Sequence, residues 1–312
     1  MFGLTKGTFR LFRVWGIDVF LHWSWFLVAF YDLSMRGNAY TSQAWNVAEY
    51  LSLFGIILIH EFGHALACRS VGGVANRIVL WPLGGVAFVA PPPRPGAVLW
   101  SIAAGPLVNV AIAAVTIPLF FATGGWSGLA HDPRLFLEMF TFINGLLLIF
   151  NLFPIYPLDG GQILQALLWF VIGRARSLMV ASAIGLVAAI GVAGAALYFG
   201  NYWLVVMAAF IAWRAWAGFQ QAKLLALALK IPRHPGLACP SCKAAPPVAD
   251  IWTCGHCQAR FDMFAHGATC PGCGRHFDTT PCPDCQRVHP IAEWATSGPK
   301  PSKVDLAPVD EL

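Results

Sequence analysis

The chain has 312 residues, of which 57% are hydrophobic and only 11% are charged. An average soluble domain carries about 25% charged residues, so this composition excludes a disordered protein and argues against a fully soluble enzyme. The formal net charge of +5 is not by itself a sign of nucleic-acid binding, because basic residues also mark the loops of membrane proteins. The composition therefore predicts a protein with several membrane spans.

Apolar stretches long enough to cross a bilayer recur along the first two thirds of the chain. They cover roughly residues 17–34, 48–70, 97–121, 135–157, 178–198 and 202–219. A further apolar stretch, residues 162–173, is too short to span alone. We therefore predict an all-α polytopic membrane protein with about six transmembrane helices within residues 1–230.

The segment between the second and third predicted spans is too short and too interrupted to cross a membrane. It reads as a strand at residues 78–81, a turn at Gly84 and Gly85, and a second strand at residues 86–90. Non-helical backbone at membrane depth is tolerated only inside protein or beside a water-filled cavity. We interpret the segment as a short membrane-associated β-hairpin that lines such a cavity; the alternative is an ordinary interfacial loop.

The basic residues of the loops predict the orientation. With six spans, 12 lysines and arginines up to Arg233 fall on one side of the membrane and 2 on the other. Cytoplasmic loops carry the excess of basic residues, so we predict an integral, multi-pass protein of a prokaryotic cell membrane with both termini in the cytosol. This asymmetry accounts for the net charge without nucleic acid.

The second predicted span carries the sequence HEFGH, with His60, Glu61 and His64. Residues i and i+4 share a helix face, so both imidazoles can reach one ion, and the adjacent glutamate can act as a general base. This is the metalloprotease arrangement, in which zinc activates water near neutral pH. The alternative is a polar cluster that joins helices, but ionisable groups in lipid are costly and the spacing also fits metal ligation.

A catalytic zinc needs three protein ligands and one open position. Asp159 lies at the end of the fourth predicted span, where Pro154 and Pro157 break the helix. It could instead cap the following helix. We favour ligation, because the other carboxylate considered, Glu138, is predicted near the opposite surface.

The third predicted span contains Asn109 in the sequence GPLVN. A buried asparagine must find partners. It could donate to a developing oxyanion or hold the substrate backbone, or it could form hydrogen bonds between helices. The sequence alone leaves these two interpretations equal.

Three motifs on successive spans, HEFGH, GPLVN and NLFPIYPLDGG, resemble the site-2 protease family of intramembrane zinc metalloproteases. The first span and the LGGVAFV hairpin look like the sporulation-factor-processing branch of that family. The resemblance implies that His60, His64 and Asp159 bind a catalytic zinc, that Glu61 is the general base and that Asn109 assists in the site. It also implies that the hairpin pairs with an extended substrate.

Eight of the nine cysteines form C-x-x-C pairs after the last span. They are Cys239 and Cys242, Cys254 and Cys257, Cys270 and Cys273, and Cys282 and Cys285. Two pairs about a dozen residues apart suit a four-thiolate zinc site, and thiols in the cytosol stay reduced. We predict a double zinc ribbon at residues 236–290 with two structural zinc ions, the first pair joining the second and the third joining the fourth, although interleaved pairing is also compatible.

The remaining features concern partners. Basic and acidic residues are balanced within the cysteine-rich module, which argues against nucleic acid and favours a protein partner. Residues 297–312 are predicted to be a disordered tail. The resulting hypothesis is an intramembrane zinc endopeptidase acting on transmembrane proteins or peptides, for regulation or for clearance of remnant peptides. The alternative hypothesis is a non-enzymatic membrane zinc transporter or sensor with a zinc-ribbon interaction module.

Overall fold

A computed structural model describes residues 7–35, 40–81, 84–123, 130–285 and 287–295, without the side chains of residues 31–35. The chain divides into two compact units, Met1–Leu224 and Leu225–Leu312. The predicted tail at residues 297–312 lies outside the described residues.

Seven helices occur in the described part of the chain. They are α1 Trp25–Met35, α2 Gln43–Ser70, α3 Pro95–Ala122, α4 His131–Leu152, α5 Asp159–Ile172, α6 Arg174–Tyr198 and α7 Tyr202–Leu229. Among these, α2, α3, α4, α6 and α7 are long and apolar enough to cross a membrane, whereas α5 has only 14 residues. The polytopic helical class is therefore confirmed, and the short helix α5 lies where the sequence predicted a stretch unable to span.

The prediction of one helix over residues 17–34 was wrong. Strand β1, Thr8–Val14, turns through Trp15 and Gly16 into strand β2, Ile17–His22, and α1 begins only at Trp25. Both turn residues have positive φ, 48° and 74°, as a two-residue hairpin turn of this kind requires. The apolar residues at the start of the predicted span are thus strand residues, and Ile17 and Val19 lie on the face of the sheet that packs on α2.

The predicted hairpin is confirmed and belongs to a larger sheet. Strands β3, Val74–Trp81, and β4, Gly84–Ala90, pair antiparallel, and β2 pairs parallel to β3. The strand order is β1-β2-β3-β4, which places β4 at an edge. One sheet face is apolar and packs on α2, so the sheet holds β4 against that helix.

Close packing of α2 and α3 forms the centre of this unit. A methyl group at Gly63 of α2 would lie 2.8 Å from the carbonyl oxygen of Ala104 on α3. Small residues at such positions let helix backbones approach closely, which is how helices associate in membranes. The approach brings the polar residues of α3 next to the HEFGH segment of α2.

The described residues of the second unit form two short hairpins and little other regular structure. Strands β5, Trp252–Thr253, and β6, Arg260–Phe261, form one, and strands β7, Thr279–Pro281, and β8, Val288–Pro290, form the other. A 3-10 helix, Ile291–Trp294, follows β8. Each hairpin contributes to a small apolar cluster that includes cysteine side chains.

Candidate active site and metal centres

Three ligand atoms from two helices converge inside the membrane-spanning unit. His60 and His64 lie on α2 with their Nε2 atoms 3.1 Å apart. Asp159 Oδ2, at the first residue of α5, lies 3.1 Å from His60 Nε2 and 3.3 Å from His64 Nε2. The structure therefore brings together the three residues that were predicted from the sequence to be metal ligands.

These separations fit one small tetrahedral ion. Zinc–nitrogen and zinc–oxygen bonds of about 2.0–2.2 Å place neighbouring ligand atoms of a tetrahedron about 3.3–3.5 Å apart. No fourth His, Cys, Asp or Glu joins this cluster in the described chain, which leaves the open position that a catalytic site needs. The histidines lie six and ten residues before the end of α2 at Ser70, or about 9–15 Å from it, so the site lies well inside the span.

The outward-facing nitrogens of both histidines have acceptors that fix the tautomer. His64 Nδ1 lies 2.9 Å from the carbonyl oxygen of Ser101. Since a carbonyl can only accept, this Nδ1 carries the proton and Nε2 keeps its lone pair for a metal. Such outer partners orient ligating histidines and raise their basicity.

The tautomer of His60 is fixed in the same way, through hydrogen bonds of the side-chain amides of Asn109 and Asn144. Asn144 Nδ2 donates to the main-chain oxygen of Asn109, so Asn144 Oδ1 faces Asn109 and accepts from its Nδ2 at 2.8 Å. Asn109 Oδ1 is left to accept from His60 Nδ1 at 2.5 Å. A backbone carbonyl thus determines the orientation of all three side chains.

These contacts favour the second of the two interpretations left open for Asn109. Its side-chain Nδ2 donates to Asn144 and its oxygen accepts from His60, so it forms hydrogen bonds between helices. Through them Asn109 is placed to orient His60. The sequence missed Asn144 and Ser101 as partners, because their contacts form between helices.

Glu61 is held by the sheet. The backbone N–H of Ala87 on β4 donates to Glu61 Oε2 at 2.7 Å. A methyl group at Gly85 would lie 2.3 Å from Glu61 Cγ, so only glycine lets the strand pass so close. The hairpin therefore lies directly beside the candidate general base.

Space beside the imidazoles is also kept free by glycine. A methyl group at Gly105 of α3 would lie 2.2 Å from His64 Nε2 and 2.8 Å from His60 Nε2. These are the atoms that would face the ion. The donor set, the tautomers and this small cradle all fit a bound zinc.

Asp159 reaches the histidines because the chain turns sharply before α5. A methyl group at Gly160 would lie 2.3 Å from the carbonyl oxygen of Leu152, so the turn at residues 153–158 packs directly on the start of α5. The carboxylate of Asp159 faces His60 and His64. This placement favours ligation over the helix-capping alternative.

The eight paired cysteines form two clusters in the second unit, and the predicted sequential grouping is wrong. One cluster contains Cys254, Cys257, Cys270 and Cys273, and the other contains Cys239, Cys242, Cys282 and Cys285. The second and third C-x-x-C pairs therefore form an inner cluster, and the first and fourth pairs form an outer cluster. The ends of the module meet because Ala238 donates its N–H to the oxygen of Trp294 and Leu237 bridges Ala295, which brings the first and fourth pairs together.

Sulphur distances match thiolate metal sites and not disulfides. Neighbouring Sγ atoms are 3.5–3.7 Å apart in both clusters. Zinc–sulphur bonds of about 2.3 Å predict edges of about 3.8 Å, whereas a disulfide bond is about 2.05 Å. Backbone N–H groups of Cys257 and His256 donate to Cys254 and lower its pKa to about 6, which favours the thiolate. Both clusters are compatible with zinc ribbons.

Comparisons with known proteins agree with this site. Residues 127–193, which include Asp159, match the model of peptidase family M50. Over 180 residues the chain is 34% identical to zinc metalloprotease MJ0392 of Methanocaldococcus jannaschii, covering 56% of this chain and 50% of that protein. Over 119 residues it is 37% identical to stage IV sporulation protein FB of Bacillus subtilis, covering 36% of this chain and 38% of that protein.

A solved site-2 protease from Methanocaldococcus jannaschii is also similar, with 27% identity and a TM-score of 0.49 over 68% of this chain and 95% of that chain. The chain spans about half the length of the curated zinc metalloprotease MJ0392 that it matches.

Proposed function

We propose that this chain is a member of peptidase family M50, which its residues 127–193 match, and that it is an intramembrane zinc endopeptidase. It hydrolyses peptide bonds in or near the transmembrane segments of other membrane proteins. The observation that carries this proposal is the convergence of His60, His64 and Asp159 on one open tetrahedral position beside Glu61, well inside a membrane span.

The ligand residues would hold one zinc ion, which supplies a Lewis acid and lowers the pKa of water to about 7. Glu61 takes a proton from the attacking water and gives it to the leaving amine. The N–H of Ala87 holds one carboxylate oxygen of Glu61, which restricts the general base to one orientation. Asn109 and Ser101 keep both imidazoles in the tautomer that ligates through Nε2.

Substrate binding is proposed at the edge of the sheet. Strand β4 is an edge strand, and its backbone contacts Glu61. An extended substrate added beside β4 would gain backbone hydrogen bonds and lie next to the general base. This geometry suits an unfolded stretch of a transmembrane segment.

The orientation with the site toward the cytosol is also part of the proposal. β1 and β2 pair next to β3, so Arg10 and Arg13 lie on the same side as Arg77 and Arg69 at the end of α2. Arg134 near the start of α4 lies at the opposite helix end. This excess of basic residues favours a cytosolic face for the sheet, and with it cytosolic termini.

The cysteine-rich unit is proposed to hold two structural zinc ions and to bind a protein. Its thiolate positions leave no open site for chemistry. A transport function is less well supported, since a single intramembrane ligand cluster is found among the described residues and a pathway would need several.

Cleavage in reconstituted membranes tests the proposal. The full chain would be placed in liposomes with single-span peptides, and products would be identified by mass spectrometry. We expect cleavage by the wild type, none by Glu61→Gln, and unchanged cleavage by the control Glu138→Gln on α4. Unaltered cleavage by Glu61→Gln, with zinc still bound, would contradict the assigned mechanism.

A further inference from the structure

Tyr156 lies in the turn at residues 153–158 and touches two helices through its main chain. A methyl group at Gly161 on α5 would lie 2.3 Å from Tyr156 N, and one at Gly185 on α6 would lie 2.4 Å from Tyr156 O. Cβ atoms essentially never approach other atoms this closely. The backbone of Tyr156 is therefore in direct contact with the backbones of α5 and α6.

The ring of Tyr156 is seated between α6 and α7. A methyl group at Gly218 on α7 would lie 2.6 Å from Tyr156 Cε1 and 2.7 Å from Ser182 Oγ on α6. Small residues thus line the space that the ring fills on both helices. The contacts surround Tyr156 from three sides, with α5, α6 and α7 each providing a glycine.

Only a short and well-bonded segment separates Tyr156 from Asp159. Gln162 donates its side-chain Nε2–H to the oxygen of Pro157 at 3.0 Å and its backbone N–H to the oxygen of Leu158 at 3.0 Å. These bonds tie the turn to the first turn of α5. A displacement of Tyr156 would therefore move the carboxylate of Asp159 relative to the histidines.

We propose that Tyr156 is a positioning residue for the metal ligand Asp159, and that the enclosure of its backbone and ring by Gly161, Gly185 and Gly218 sets the place of that carboxylate. The inference rests on the proposed zinc site. In this proposal α6 and α7, which carry none of the three ligands, fix the position of the third ligand, Asp159. They do so by contact with the Tyr156 ring. Because the volume of the ring matters and its hydroxyl does not, phenylalanine should substitute for tyrosine.

Zinc affinity of the full-length protein tests this proposal. Bound zinc would be measured while a chelator is titrated. The reactivity of the cysteine thiols would be measured in parallel, because it shows when the cysteine clusters release zinc. We expect Tyr156→Ala and Gly185→Ala to weaken the membrane site about 10–100-fold, as changes behind metal ligands do. Tyr156→Phe should bind like the wild type.

A matched control separates positioning from general damage to α6. A methyl group at Gly191 meets none of the described residues within 4 Å, so Gly191→Ala should keep wild-type affinity. All variants should keep their helix content by circular dichroism. Equal zinc affinity in the wild type and both Tyr156→Ala and Gly185→Ala would overturn the inference alone. A wild type that binds no more zinc than His60→Ala would instead overturn the proposed function.

Discussion

The amide oxygen of Asn109 accepts a hydrogen bond from His60 Nδ1 at 2.5 Å, and this contact connects the interior of α3 to the candidate metal-binding face of α2. Asn109 and its own partner Asn144 are both fully buried. The hydrogen bonds of this buried pair of amides hold it rigid, because breaking them leaves unpaired polar groups away from water. The pair therefore holds His60 in the orientation that offers Nε2 to an ion.

Replacing Asn109 by alanine tests this support. We expect Asn109→Ala to lower zinc affinity at the membrane site by about 10–100-fold, because His60 loses its acceptor. Thr116→Val on the same helix is the control, since the buried Thr116 hydroxyl has no hydrogen-bond partner among the described residues. Chelator titration of the full chain measures both; wild-type affinity in Asn109→Ala would contradict the role given to this residue.

Glu61 is predicted to depend on the absence of a side chain at Gly85. In Gly85→Ala the new methyl group would lie 2.3 Å from Glu61 Cγ, so the carboxylate must move. We expect cleavage to fall roughly 100-fold, as misplacement of a catalytic group by about 1 Å can cause, while zinc stays bound.

Gly145→Ala on α4 is the control for this change, because a methyl group there meets no atom of the described part of the chain within 4 Å. Turnover and zinc content would be measured on the same preparations. Loss of zinc in Gly85→Ala would show that the strand supports the metal ligands and not the general base.

The nested grouping of the cysteines predicts zinc counts that differ from those of a sequential grouping. The double variant Cys242→Ser and Cys285→Ser alters only the outer cluster, so it should lose one zinc ion per chain. The double variant Cys242→Ser and Cys257→Ser alters both clusters and should lose two. Elemental analysis of full-length protein distinguishes them, and a reversed result would support sequential grouping.

Asp262 is predicted to stabilise the second unit through His234. Although burial alone would raise its pKa, hydrogen bonds from His234 and from the backbone N–H groups of Ala265 and Phe264 lower the pKa of Asp262. Its contribution is therefore complete above its ordinary pKa and is lost only as pH falls through the lower folded value.

Asp262→Asn should consequently destabilise this unit by about 1–3 kcal/mol at pH 7, and by no less at pH 5.5. Thermal unfolding in excess zinc measures the difference between wild type and variant at each pH. A difference that shrinks at pH 5.5 would mean that the carboxylate already binds a proton there, against the stated direction.

Local sequence signals identified much of this site. His60 and His64 are four residues apart, which places them on one face of any helix. Asp159 follows a helix break that the prolines before it predict. The spans were found because length and apolar composition are properties of each segment by itself. Features of this kind need no knowledge of what the segment packs against.

Features that depend on distant partners were missed or misassigned. Residues 17–22 read as the start of a span because β2 is apolar, and only its parallel pairing with β3 makes it a strand. The turn of Trp15 and Gly16 was the available signal for that hairpin. Every C-x-x-C pair suits any other, so the grouping was decided by contacts between Ala238 and Trp294 at the two ends of the module.

Zinc content per full-length chain tests whether His60, His64 and Asp159 hold zinc. We expect three zinc ions in the wild type, three in Glu61→Gln, and two in His60→Ala, because we assign one ion to the membrane cluster and one to each cysteine cluster. Two zinc ions in the wild type, with no further loss in His60→Ala, would contradict a zinc centre formed by His60, His64 and Asp159.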